Sequence, residues 1–148
     1  MLKIEVIKRE EDFDNLPISR TDYVDFLYDH LDRFRDEKRA INKCLDFAFE
    51  KHGGLGGFLL AGIKDGKLVG ALVMNHTGMS EFIPENILVY VAVHEDMRGK
   101  GFGQEIINKA LHMAEGNVKL HVEYDNPAKR LYERVGFISK YAEMRYEK

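Results

Sequence analysis

The spacing of apolar residues changes several times along the chain, and each change marks an element. KIEVIK (residues 3–8) alternates apolar and polar side chains as a short strand does. Tyr23, Phe26, Leu27, His30, Leu31 and Phe34 then recur at helical spacing after Ser19 and Thr21, either of which can cap the helix. Ile41, Cys44, Leu45, Ala48 and Phe49 share one face of a second helix, and HGGLGG supplies its glycine stop. FLLAGI and LVGALVM flank KDGK, where Asp65 followed by Gly66 signals a tight hairpin, so strands two and three are antiparallel.

Beyond the hairpin, Asn86 to His94 forms a long fourth strand, the glycine-rich RGKGFG (98–103) follows, and Ile106, Ile107, Ala110, Leu111 and Ala114 mark a helix ending near Gly116. VKLHVEY (118–124) is a fifth strand, Pro127 suits the first turn of a short helix to about Val135, and FISKYAEMRYEK (137–148) returns as a strand. The pattern predicts one α/β (α+β) domain over residues 1–148, with a mixed sheet of six or seven strands and about four helices. It contains no internal repeat and no low-complexity linker.

Composition narrows the function classes. A chain of 148 residues is long enough for one sizeable core. The single cysteine, Cys44, excludes an internal disulfide, and no Cys/His cluster supplies a structural zinc site, so no metal is expected and a reducing, cytoplasmic setting fits best. Cys44 itself lies on an apolar helix face, where a buried structural thiol is the plain reading. The first residues, MLKIEVIKREEDFD, resemble neither a signal nor a transit peptide, and the longest apolar run, Ile87 to Val93, has seven residues. A membrane is therefore not an expected partner.

Net charge is −3 and uneven: residues 1–96 carry 12 basic and 18 acidic side chains, residues 97–148 carry 10 and 7. So mild a balance lacks the concentrated basic face of a nucleic-acid binder. A small anionic ligand suffices to explain the positive segment, and that segment holds RGKGFG.

Glycine weakens strands and helices, so three of them between a strand and a helix imply positive φ or close approach. A helix N-terminus leaves its first N–H groups without intrahelical partners and favours negative charge, which makes phosphate a natural guest. Arg98 and Lys100 add positive charge. A tight turn without a ligand remains the plainer reading of the hexapeptide alone. Two familiar phosphate loops fail on spacing: no lysine here completes GxxxxGK[ST], and GxGxxG would need glycine where Gln104 stands.

A second cluster, NPAKRLYERVGF (126–137), changes the weight of the first. Together they resemble the GNAT superfamily of acyl-CoA-dependent N-acetyltransferases. RGKGFG satisfies that family's RGxGxG, and Arg98, Gly101 and Gly103 satisfy the longer [QR]xxGxG[AG], with Gln104 departing at its variable last position. NxxAxxLYxxxGF is complete from Asn126 to Phe137, and with the preceding strand the resemblance covers residues 86–137.

The resemblance implies a GNAT-like, mostly antiparallel sheet splayed between its fourth and fifth strands, with acetyl-CoA as co-substrate. The pantetheine arm would insert at the splay through main-chain groups at Val91 and Val93, whose side chains equally serve as ordinary core. The pyrophosphate would rest on Gly99, Lys100, Gly101, Phe102, Gly103 and Gln104, beside Arg98. Asn126, Lys129 and Tyr132 would lie near the cofactor arm, Asn126 being equally suited to cap a helix. Residues 1–84 would form the acceptor side and residues 85–148 the acetyl-CoA side.

Acetyl transfer to an amine expels CoA as a thiolate, and a phenol with an ordinary pKa near 10 can protonate it, so Tyr132 is the expected general acid. A packing role beside Leu131 is its plain alternative. The amine must also lose a proton. The glutamate that some family members carry on the fourth strand has no counterpart in ENILVYVAV, where Ile87 or Leu88 stands. Glu85, on the same face as Ile87, is the leading base candidate, in competition with Glu81, His76, Glu123 and water. His94 and Glu95 read as residues that position the glycine turn.

For the acceptor, the resemblance makes the helix pair one wall of the site, with Tyr28, His30 and His76 as candidate contacts. The expected function is N-acetylation of a small primary amine through a ternary complex, the acidic residues 1–96 favouring a cationic acceptor. The alternatives are acetylation of a protein N-terminus or lysine, and a non-catalytic acyl-CoA-binding regulatory module. The last strand could pair at an edge, and a homodimer follows by family analogy alone.

Overall fold

Strand β1 (Lys3–Ile7) pairs antiparallel with β2 (Gly57–Lys64), which turns through Asp65 and Gly66 into β3 (Lys67–His76). Both turn residues have positive φ, 52° and 75°, as a two-residue hairpin matching strand twist requires. β4 (Asn86–Val93) adds antiparallel to β3, and β5 (Val118–Leu120) adds parallel to β4, giving a five-stranded sheet in the order β1-β2-β3-β4-β5. The structure, a computed structural model, describes residues 1–148.

Between β1 and β2 run helices α1 (Arg20–His30) and α2 (Lys38–Ala48); α3 (Phe102–Met113) and α4 (Ala128–Val135) follow β4 and β5. Ser19 proves to be the cap of α1: its hydroxyl accepts from Asp22 N at 3.1 Å while Asp22 accepts from Ser19 N at 2.9 Å. No helix is long and apolar enough to cross a membrane.

Strand alternation sends side chains to opposite faces of the sheet, and each face has its own core. Ile7, Leu59, Ala61, Val73, Tyr90 and Ala92 pack with Tyr23, Leu27, Ile41 and Leu45 of α1 and α2. Leu60, Leu72, Met74 and Leu88 pack with Ile106, Ile107 and Ala110 of α3 and Tyr132 of α4. Each fully buried aliphatic side chain contributes about 1.5–3 kcal/mol. The hydroxyl of buried Tyr23 lies 3.0 Å from Leu60 O and 2.9 Å from Leu72 O, pinning α1 to the sheet with its polar atom satisfied. Gly70 serves close approach, since a Cβ there would collide with Ile106 Cδ1.

Two features of β4 set it apart from the other strands. Its register against β3 jumps between Tyr90 opposite Val73 and Leu88 opposite Met74, leaving Val89 as a bulge. Its pairing with β5 covers only Asn86–Leu88 against Val118–Leu120, so the strands part beyond Leu88 while β4 continues to Val93. The predicted splay is present.

The expected strand count is corrected from six or seven to five. β5 stops at Leu120 rather than Tyr124, and residues 137–148 form no strand. Residues 138–148 make no backbone hydrogen bond, and Tyr141, Met144 and Tyr146 are 85 %, 90 % and 89 % exposed. Alternation supplies a strand's two faces, but only a partner satisfies its N–H and C=O groups, and this segment has none.

Candidate active site

The three glycines of RGKGFG serve different ends. Gly99 and Gly101 have φ of 77° and 84° with open space where a Cβ would stand, so their conformation is what requires glycine. Gly103 has no such constraint; a Cβ there would meet Leu131 Cδ2 of α4 at 3.0 Å and Val93 Cγ2 at 3.5 Å. Gly101 precedes α3 in the left-handed region, and Glu105 N is the first to bond back, to Gly101 O at 3.1 Å. The N–H groups of Phe102, Gly103 and Gln104 therefore have no acceptor in the protein and can receive an anion.

Charge around this turn is arranged less simply than the sequence suggests. Arg98 Nε donates to Val93 O at 3.1 Å and Nη2 donates to His30 O at 2.8 Å, so its side chain braces the turn against α1. Lys100 is exposed, its Nζ 3.9 Å from Met97 Sδ and unpaired with any carboxylate. Lys64, at the end of β2, stands over the Phe102 ring at 5.6 Å and adds a cation that sequence reading missed. Nothing local links it to the motif.

Val91 packs with the α3 and α4 core, and Val93 stands beside Gly103. Both are half-buried, on the part of β4 that β5 does not cover. Asn126 Oδ1 accepts from Ala128 N at 2.9 Å and its Nδ2 donates to Glu123 Oε1 at 3.2 Å, so its side chain fixes the turn that leads through Pro127 into α4. Lys129 Nζ lies 3.9 Å from Glu133 on the same helix.

Tyr132 is 9 % exposed, with its ring edge-on to Phe137 at 6.1 Å and its hydroxyl without a protein partner. Burial, and secondarily the Glu123 carboxylate, push its phenol up to about 12. It is therefore a proton donor throughout the neutral range.

Two predicted residues lie elsewhere. Glu85 Oε1 accepts from Asn117 N at 3.0 Å, its chain resting on Gly116. It stands six residues before Val91, about 20 Å along an extended strand, and is not brought to the splay. His76 Nδ1 donates to Asn86 Oδ1 at 3.0 Å at that same remote end. There His76, Asn75, Thr77, Phe47, Met79, Ile87 and Lys119 line a cavity of about 320 Å³. A larger concavity, about 480 Å³ between Glu10 and Arg20, contains none of the predicted residues.

On the α1 and α2 side, Tyr28 is covered by Arg35, whose Cζ lies 3.9 Å from the ring centroid, and by Lys38 Nζ at 5.0 Å. His30 packs against His94 with centroids 4.3 Å apart and planes tilted by 39°, and its Nδ1 and carbonyl face the segment that leads into the glycine turn. Tyr90, next to the bulge, donates to Asp36 Oδ2 at 2.6 Å, which puts a carboxylate over the inner face of β4. The lone hydroxyl in ILVYVAV was the available sequence signal for Tyr90; Asp36, 54 residues away, had none. Cys44 is pushed up to about 12 by burial, an unreactive thiol beside Asn75.

The model of the acetyltransferase (GNAT) family matches residues 20–137 of this chain. No curated protein matches it in sequence. Among solved structures, a transcriptional regulator from Bacillus halodurans C-125 is similar with a TM-score of 0.70 at 16% identity over 100% of both chains. A ribosomal-protein-alanine N-acetyltransferase from Brucella melitensis biovar Abortus 2308 gives 0.66 at 16% identity, over 100% of this chain and 99% of that one. An aminoglycoside acetyltransferase from an uncultured soil metagenomic sample, in complex with sisomicin, gives 0.66 at 13% identity over 99% and 95%. At such identities the likeness is one of fold.

Proposed function

This chain belongs to the acetyltransferase (GNAT) family, and on that premise we propose that it moves an acetyl group from acetyl-CoA to the primary amine of a small molecule by direct attack in a ternary complex. The observation that carries this reading is the free first turn of α3 standing beside the stretch where β4 parts from β5. Main-chain groups at Val91 and Val93 bind the pantetheine arm as a strand would be bound, and the N–H groups from Gly99 to Gln104 hold the pyrophosphate. Lys100 and Lys64 supply charge there, Arg98 acts through its brace, and Asn126 and Lys129 border the arm.

The acceptor approaches from the α1 and α2 side, where Asp36 offers a carboxylate to an ammonium and the acidic residues 1–96 steer cations. The deprotonated nitrogen attacks the thioester carbonyl, the C–N bond forms, the C–S bond breaks, Tyr132 gives its proton to the departing sulfur, and the proton that the acylated nitrogen then sheds restores the phenol through solvent. The surplus proton of the amine passes to water, because Glu85 is held by Asn117 N about 20 Å from Val91.

Thiol release from acetyl-CoA, measured with spermidine, with an aminoglycoside, and with peptides bearing a free N-terminus or a lysine, tests this reading. Turnover confined to small amines is expected. Turnover confined to peptides would move the assignment to protein acetylation, and coenzyme A binding without release from any acceptor would leave a regulatory binding module.

A further inference from the structure

His30 is the last residue of α1, on the acceptor side of the molecule, yet its Nδ1 and its carbonyl both engage the segment after β4. Nδ1 accepts a long hydrogen bond from Glu95 N at 3.4 Å, and the carbonyl accepts from Arg98 Nη2 at 2.8 Å. Its ring packs in a three-ring cluster with Phe26, at 4.5 Å, and His94, at 4.3 Å, which are themselves 6.5 Å apart. His94 Nδ1 in turn accepts from Asp96 N at 3.1 Å, and Arg98 Nε returns to Val93 O at 3.1 Å. The residues leading into Gly99 are thus tied to α1 through one imidazole and one guanidinium.

We propose that His30 is a positioning residue for the glycine turn, its neutral imidazole latching the turn to α1 and its protonation releasing the turn and weakening coenzyme A binding. This rests on the reading of Gly99–Gln104 as the pyrophosphate seat. A backbone N–H can donate to Nδ1 only while that nitrogen is unprotonated, so His30 accepts from Glu95 with its ring proton on Nε2. Protonation turns the acceptor into a donor facing a donor. It also sets a cation against His94 and near Arg98.

The titratable and charged groups facing His30 are His94, Glu95 and Arg98 from the segment after β4 and Asp29 from α1, with Asp96 3.9 Å from His94 Nδ1. Glu95 and Asp29 favour the charged ring, but burial, followed by His94, prevails and holds His30 below the ordinary imidazole value. Because the folded value is lowered, the latch is complete above about pH 6.5 and is lost as pH falls through that lowered value. Coupling between α1 and the turn would make donor binding and the shape of the acceptor wall interdependent.

Calorimetric titration with coenzyme A, at about pH 7.5 and about pH 4.5, the lower value about two units below an unperturbed imidazole so that a lowered one is also crossed, tests the latch. The wild type is expected to lose about tenfold more affinity between these pH values than His30→Asn, whose side-chain oxygen can accept from Glu95 N without titrating. The coenzyme's own phosphates affect both proteins alike and cancel. Arg98→Lys keeps the cation but cannot reach both carbonyls, and is expected to bind about fivefold more weakly at both pH values. Parallel pH profiles for wild type and His30→Asn, or undiminished binding by Arg98→Lys, would overturn the latch. Failure of every protein to bind coenzyme A would instead overturn the proposed function, and the latch with it.

Discussion

The two ends of β4 are built to opposite purposes. At its start, Asn86 is 1 % exposed and fully engaged: Nδ2 donates to Glu115 O at 2.8 Å and Asn117 O at 3.2 Å, Oδ1 accepts from His76, and its N donates to Asn117 O at 3.1 Å. Glu85 adds a bond to Asn117 N. At its finish, β4 has no strand partner on the β5 side beyond Leu88, Val93 O meeting Arg98 Nε instead, and the helix after it opens with three N–H groups that nothing in the protein accepts. Buried backbone polar groups are nearly always paired. Side-chain fastening thus holds the strands together at one end while they part at the other, and under the proposed function the groups left unpaired are those that a pantetheine arm and a pyrophosphate would use.

Breaking the open end should cost most. Tyr132→Phe keeps the ring packed against Phe137 and removes the proton donor, so kcat is expected to fall about a hundredfold or more with the KM for acetyl-CoA little changed. Steady-state kinetics with unaltered kcat would take Tyr132 out of the mechanism. Breaking the fastened end should be felt in folding: Asn86→Ala removes the three hydrogen bonds of a buried side chain, to Glu115 O, Asn117 O and His76, whose exposed residues can turn to water, and is expected to cost about 2 kcal/mol in urea unfolding. A loss under about 0.5 kcal/mol would mean that Asn86 does not hold the strands together.

A smaller effect is expected at Gly101, whose φ of 84° strains any other residue by about 1–2 kcal/mol. Gly101→Ala should weaken coenzyme A about tenfold in a calorimetric titration, whereas unchanged binding would detach the turn from the cofactor. The smallest belongs to Glu85→Gln, which still accepts from Asn117 N and should lower kcat less than about threefold. A hundredfold loss there would bring Glu85 back as the general base.

Much of this was legible in the sequence because most signals were local. The hairpin at Asp65 and Gly66, the cap at Ser19, the strand 86–93 and the glycine turn each depend on residues a few positions apart. What escaped depends on partners far along the chain. FISKYAEMRYEK alternates well, but pairing is a tertiary property that alternation does not encode. Glu85 shares a face with Ile87, and a face says nothing of position along a strand. Arg98 was readable as a charge, but its direction, toward His30 O and Val93 O, is decided by where α1 ends. The Asp36 and Tyr90 pair likewise joins a helix connection to a strand that only the fold brings together.

The central claim, that the donor binds at the open end of β4, is tested most directly by tracking backbone amide resonances during titration with coenzyme A. The account predicts that the largest shifts fall on Val91, Val93 and the amides from Gly99 to Gln104, while Asn75, His76, Asn86 and Lys119 stay in place. Shifts concentrated on those last four residues, around the remote cavity, with Gly99–Gln104 unmoved, would contradict it.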